Sequence, residues 1–276
     1  MSYIHLILIL VLLIAFYFFK GVIPKIIFIV RWYFISKDQF SNKDEEVLKK
    51  GFLPYSKLTT AEQDLLKKKI LYFLKYKKFC PLQGVQITRE MQLLISACAC
   101  FLVLNIPGEI FPGLYNIYIS MSSFVEKENI LDLETMEPKF SPRLGESWQG
   151  GPVVLSWSTV EQDFMNWYDG HNVVLHEFAH QLDGLDGGMD GTPPLKSRGS
   201  LNKWAFFMEN DFKELRNKVA HHQKSDIGSY GATDAAEFFA VTVEEFYEKP
   251  HAFKKNHPEI FDLYLEYFKF DPTRLS

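Results

Sequence analysis

The chain has 276 residues, 47% of them apolar, and a formal net charge of −4. That length holds one fair-sized globular domain with an appendage, or two small domains, and the charge gives no ground for a nucleic-acid partner. Three cysteines, Cys80, Cys98 and Cys100, show no C-x-x-C spacing, which excludes both a disulfide framework and a cysteine zinc site. The 25 phenylalanines and 13 tyrosines spread along the whole chain and read as core rather than as an aromatic binding platform.

Residues 3–19 (YIHLILILVLLIAFYFF) are apolar except for His5. With Lys20 snorkelling and residues 21–23 extending the run, the pattern predicts a transmembrane helix over about residues 3–23. No basic residue precedes it and no small-residue cleavage site follows, so an uncleaved anchor is expected rather than a signal peptide. Residues 26–35 are also apolar, too short to span, and hold Trp32 and Tyr33, which favour an interfacial helix. Lys20, Lys25, Arg31 and Lys37 all follow the first run. The expected topology is therefore a single-pass membrane protein with the C-terminal domain facing the cytoplasm. The division expected is a membrane anchor over residues 1–40 and a globular domain over 41–276.

Residues 36–50 are polar and read as a linker. Thr60 to Gln63 has the form of a capping box opening an amphipathic helix to about Lys78, whose lysines, Lys69 and Lys77 among them, read as a solvated face. Residues 88–104 read as a largely buried helix, residues 115–121 and 153–157 as short strands, and residues 126–151 as a long loop. Helices are expected over residues 172–182, 201–221 and 234–248. Helices with a few strands make an α+β domain.

The helix beginning near Asn172 contains His176-Glu177-Phe178-Ala179-His180. Histidines at i and i+4 project from one face, one turn apart, so two imidazoles reach a single ion. Glu177 lies about 100° further round, placed to address a water rather than to ligate. Zinc needs three protein ligands and an open position, and water bound there reaches a pKa near 7. Three sources of the third ligand are open. Asp186 lies six residues beyond His180, but the chain has Asp183 where that arrangement needs a turning glycine. Glu237, on a later helix, is the better candidate, although Asp234-Ala-Ala-Glu237 also resembles a capping box. His221 and His222 read as an exposed helix end.

The sequence resembles the zinc-dependent peptidases related to Mlc titration factor A, a gluzincin type. The resemblance rests on Pro81-x-Gln83-Gly84, Gly145-Glu-x-Trp148, residues 151–157, residues 170–183 and Tyr230-Gly-Ala-Thr-x-Ala-Ala-Glu237. It implies a zincin-like metallopeptidase fold, mainly helical with a small sheet. One Zn²⁺ would be held by His176, His180 and Glu237, with Glu177 as the catalytic carboxylate. Tyr230 would assist the transition state, as a tyrosine does in the similar catalytic domain of anthrax lethal factor. Such proteins commonly have asparagine where this chain has Asp234, and the apolar N-terminus is not typical of them. Two functions follow. One is a membrane-tethered peptidase acting on peptides or unstructured protein segments. The other is a regulatory binding protein that sequesters a protein partner such as a transcriptional repressor.

Overall fold

The computed structural model describes residues 18–35, 37–121 and 151–275, together with Tyr3, His5 and Phe16. Most of the expected membrane span, and nearly all of the expected loop over residues 126–151, lie outside the described residues. The expectation of a transmembrane helix is corrected: among the described residues no helix is long and apolar enough to cross a membrane. A π-helical turn, Phe18–Val22, leads into α1, Ile23–Ile35, of 13 residues. At about 1.5 Å per residue α1 is well short of a hydrocarbon core of about 30 Å. One side of it packs on the domain. Ile35 is buried, Phe28 meets Tyr72 edge-on at 5.7 Å, and Arg31 lies over the Tyr76 ring at 4.5 Å. The single-pass topology with a cytoplasm-facing domain depended on that span and falls with it.

Residues 42–51 are not linker but a helix, α2 (Asn42–Gly51). Ser41 caps it by accepting from the Asp44 amide, and Leu48 anchors it in the core. Helix α3, Thr60–Tyr76, is capped by Thr59 with Glu62 in a full capping box, one residue earlier than the sequence pattern placed it. A short strand, β1 (Lys78–Pro81), follows, then α4 (Arg89–Leu102), β2 (Asn116–Ser120) and β3 (Val153–Ser156). The three strands form a parallel sheet in the order β1-β2-β3, with Ile117 opposite Val153 and Ile119 opposite Leu155. Those four side chains are buried, as are nearly all of α4, including Cys98 and Cys100.

Two lysines expected on a solvated face are buried. Lys69 reaches the carbonyls of Val103 and Ile106 at 2.5 and 3.0 Å, and Lys77 those of Phe111 and Leu114 at 2.7 and 2.8 Å. Each ammonium thus satisfies carbonyls of the connection that follows α4, where no helix or strand provides donors.

The remainder is helical: α5 (Trp157–Met165), α6 (Val173–Asp183), α7 (Arg198–Ala220), α8 (Ala235–Glu248), α9 (Pro250–Asn256) and α10 (Pro258–Phe268). Helix α6 packs on α4, β3 and α8. The aromatic residues fill this core; Phe178 of α6, for example, meets Phe73 at 5.8 Å and Phe111 at 4.8 Å. The fold is mostly helical, with one small sheet behind α6.

Candidate metal centre

Helix α6 carries the His-Glu-x-x-His sequence, and its first turn is held by side chains from three directions. The Asn172 side chain caps it, accepting from the Leu175 amide at 3.0 Å. Asp163 of α5 accepts from the Val173 amide at 2.8 Å, and Glu244 of α8 from the Asn172 amide at 2.6 Å. Glu248 accepts from the Gly170 and His171 amides at 3.0 and 3.1 Å and from Asn172 Nδ2 at 3.0 Å. Free amides at a helix N-terminus carry partial positive charge, so carboxylates are the suited partners. Burial pushes Glu248 up to about 9 and Asp163 up to about 6, against the hydrogen bonds that favour their charged forms.

At the other end, Asp183 accepts from the Gly191 and Thr192 amides at 3.0 and 2.8 Å. Gly191 has φ of 79°, and a Cβ on it would collide with the Ala235 carbonyl, so the turn after α6 lies directly against the start of α8. Asp234 caps α8 by accepting from the Glu237 amide at 2.9 Å. Only this half of a capping box forms. The Glu237 side chain turns instead to the histidines.

His176 Nε2 and His180 Nε2 lie 3.2 Å apart, and Glu237 Oε2 lies 3.0 Å from the first and 3.4 Å from the second. Ligand atoms about 2.0–2.1 Å from a tetrahedral zinc sit about 3.3–3.4 Å from one another, so the three form a face of the right size. Among the described residues these three are the group of His, Cys, Asp and Glu able to hold a metal ion. Glu237 Oε2 is buried and, despite those short distances, meets hydrogen-bond geometry with no described partner. An ion at the cluster would satisfy it. His176 Nδ1 lies 2.8 Å from Glu244 Oε1. A ring that donates from Nδ1 to a carboxylate leaves the Nε2 lone pair facing the cluster.

The electrostatics agree. Burial lowers the basicity of His176, but Glu237 and Glu244 outweigh it and raise the ring to about 10. Burial likewise raises Glu237, and the two histidines outweigh it and hold its carboxyl well below the usual range. A field that retains a proton here also attracts a cation, and proton and metal compete for the same lone pairs.

Tyr230, on the 3₁₀ turn Ser229–Ala232, donates to Glu237 Oε1 at 3.2 Å, and its ring centroid is 5.9 Å from that of His176. Tyr230 is largely exposed, but partial desolvation and then the Glu237 carboxylate push its phenol up to about 12, so it stays a donor. Glu177 is half-buried, and its charge acts on both His176 and Tyr230. Asp186 does not join the cluster. It lies exposed on the turn Gly184–Asp186, where Oδ1 accepts from the Gly188 amide at 3.1 Å. His221 and His222 are exposed beyond the end of α7. Sequence reasoning missed Glu244, Glu248 and Asp163. The signal available for the first two was acidic residues inside an otherwise apolar helix.

A helical His-Glu-x-x-His pair joined by a carboxylate from a second helix defines a metallopeptidase-like metal centre. The chain belongs to the glucose-regulated metallo-peptidase M90 family, whose pattern matches residues 29–269. It is 34% identical over 220 residues to an uncharacterized protein of Synechocystis sp., covering 79% of this chain and 80% of that protein. It is 29% identical over 218 residues to the Mlc titration factor A of Klebsiella pneumoniae subsp. pneumoniae, covering 78% of this chain and 82% of that one. To the Mlc titration factor A of Yersinia pestis it is 28% identical over 219 residues, covering 78% and 80%. Membership of this family implies a metal.

Proposed function

We propose that the chain is a zinc-dependent peptidase, with His176, His180 and Glu237 as the metal ligands, Glu177 as general base and Tyr230 as a donor to the transition state. The observation that carries the reading is the convergence of His176 Nε2, His180 Nε2 and Glu237 Oε2 at 3.0–3.4 Å, the spacing of a tetrahedral face. Two imidazoles and one carboxylate suit zinc, and leave a position open for chemistry. Bound there, zinc supplies a Lewis acid and brings the pKa of water near 7. Glu177 accepts the proton of the attacking water and returns it to the leaving amine. Tyr230 donates its O–H to the oxygen on which charge develops, a role a phenol held at about 12 keeps at neutral pH. Glu244 keeps His176 in the tautomer that ligates.

The substrate is proposed to be a peptide or an unstructured protein segment. Among the described residues β3 is an end strand of the sheet and packs on α6, so an extended chain laid along it would run beside the site. The test is metal analysis of the purified full chain, paired with cleavage of a peptide library. About one zinc per chain with hydrolysis is expected; a metal-loaded chain that cleaves nothing would remove the catalytic reading.

The relatives support a second reading. Two of them are named for titrating Mlc, and a chain built alike could sequester a regulatory protein with or without hydrolysis. Glu177→Gln separates the two, since it removes the base and leaves the outer surface unchanged.

A further inference from the structure

We propose that His257 is the positioning residue that clamps the Tyr230-bearing segment in place, and that it does so only while both of its ring nitrogens carry protons. His257 joins α9 to α10. Its backbone N–H closes the first helix on Phe253 at 2.8 Å, and its carbonyl accepts from Phe261 at 2.9 Å to open the second. Pro258 follows, so the junction is stiff. The side chain is only 11% exposed and lies between two aspartates: Nδ1 is 2.7 Å from Asp211 Oδ2 of α7, and Nε2 is 3.2 Å from Asp226 Oδ2. Asn256 Nδ2 donates to the same Asp226 oxygen at 2.6 Å.

A neutral imidazole has one donor and one lone pair. Either tautomer would aim a lone pair at a carboxylate on one side, so the two-sided geometry requires the imidazolium. Burial works against the charge, but Asp211 and Asp226 outweigh it and raise the ring above its ordinary value. The other charges around it have partners of their own. Lys218 of α7, paired with Glu214 at 2.6 Å, lies in the field of both aspartates and opposes them in part. Glu245 of α8, paired with Lys249 at 3.3 Å, acts on the Asp226 side. Lys254 lies over the Phe261 ring, and the Phe253 ring covers the imidazole at 5.3 Å.

The path from the clamp to the site is short. Asp226 is four residues before Tyr230. Ile227, between them, is buried, and Gly231 just beyond packs close to Leu215, Val241 and Ile227. The 3₁₀ turn closes through Gly231 N to Gly228 O at 3.0 Å. Fixing Asp226 therefore fixes the turn from which Tyr230 reaches Glu237. The catalytic consequence rests on the proposed role of Tyr230. The clamp itself does not.

The sign follows from the raised basicity. The clamp is fully formed below the ordinary histidine value of 6.5 and is lost as pH rises through the higher folded value. The test is hydrogen exchange of the amides of residues 225–233 in the full chain, wild type against His257→Gln, compared at equal pH so that intrinsic rates cancel. Glutamine is neutral at every pH and holds both of its N–H donors on one nitrogen, so it does not reproduce the charged, two-sided donation of the imidazolium. At pH 6 the variant is expected to exchange roughly tenfold faster, the loss of one charge-assisted bond. The difference is expected to be smaller at pH 9 than at pH 6, since the proton is lost as pH rises through the raised folded value. Asp226→Asn serves where His257→Gln does not fold, and is expected to open the same segment. Unchanged exchange at both pH values overturns the clamp, whatever happens to turnover. Faster exchange with unchanged peptide turnover supports the clamp and removes Tyr230 from the mechanism.

Discussion

Glu244 touches no substrate or ligand atom of the proposed centre, yet its loss should be felt in metal affinity. It accepts from His176 Nδ1 through one oxygen and from the Asn172 amide through the other. Both partners are donors. Glu244→Gln keeps the shape but offers one oxygen and one NH₂, so one partner must face another donor and turn aside. Replacing such an outer partner of a metal-bound histidine typically costs 10–100-fold in affinity, about 1.4–2.7 kcal/mol. Glutamine retains one of the two bonds, so a loss of about tenfold is expected, and Glu244→Ala should approach the upper end. The assay is zinc competition against a chromophoric chelator on the full chain, with urea unfolding to establish that the variant is folded. A folded Glu244→Gln protein that holds zinc as tightly as wild type would refute the argument that this carboxylate sets the ring.

Three further outcomes are expected. Glu237→Ala should lose nearly all bound zinc while Asp186→Ala retains about one ion per chain, by metal analysis; the reverse would restore Asp186 as the third ligand. Glu177→Gln should keep zinc and lose nearly all hydrolysis, and Tyr230→Phe should keep zinc with kcat lower by about 10²-fold; unchanged turnover in both would leave the mechanism without support. Gly191→Ala should destabilise the fold by about 2–4 kcal/mol in urea unfolding, from left-handed backbone strain and the collision with the Ala235 carbonyl; wild-type stability would show that this approach is not close in solution.

The two histidines were legible because a helical repeat alone brings i and i+4 together. Glu237 was ambiguous for a physical reason: Asp-x-x-Glu is also a capping signal, and sequence cannot say whether the glutamate turns back to its own helix or outward. Here Asp234 caps and Glu237 turns away. Lys69 and Lys77 were misread because charge was taken to mean solvent, whereas both meet carbonyls that no helix or strand satisfies. Helix α2 was misread as linker because it is held by few apolar side chains, Val47 and Leu48, and by a serine cap. Asp163 was not found because its partner is a backbone amide, which leaves no mark on the sequence; Glu244 and Glu248 left only the sign of acids within an apolar helix, which does not say whether they meet amides, Asn172 or His176.

The carboxylates of α8 nonetheless follow one rule. Seven residues from Glu237 to Glu244 turn the helix by about 700°, and eleven from Glu237 to Glu248 by about 1,100°. The first is about 20° short of two full turns and the second about 20° past three, so all three acids lie on one stripe. Glu245, about 80° round from Glu237, pairs instead with Lys249. The stripe faces α6 along its length. Glu237 reaches the histidines, Glu244 the back of His176 and the Asn172 amide, and Glu248 the amides of Gly170 and His171. A slip of α8 by one residue would carry all three off their partners together. The register of the two helices is therefore set by backbone amides that exist whether or not an ion is bound. The fold brings His176 Nε2, His180 Nε2 and Glu237 Oε2 within 3.0–3.4 Å of one another.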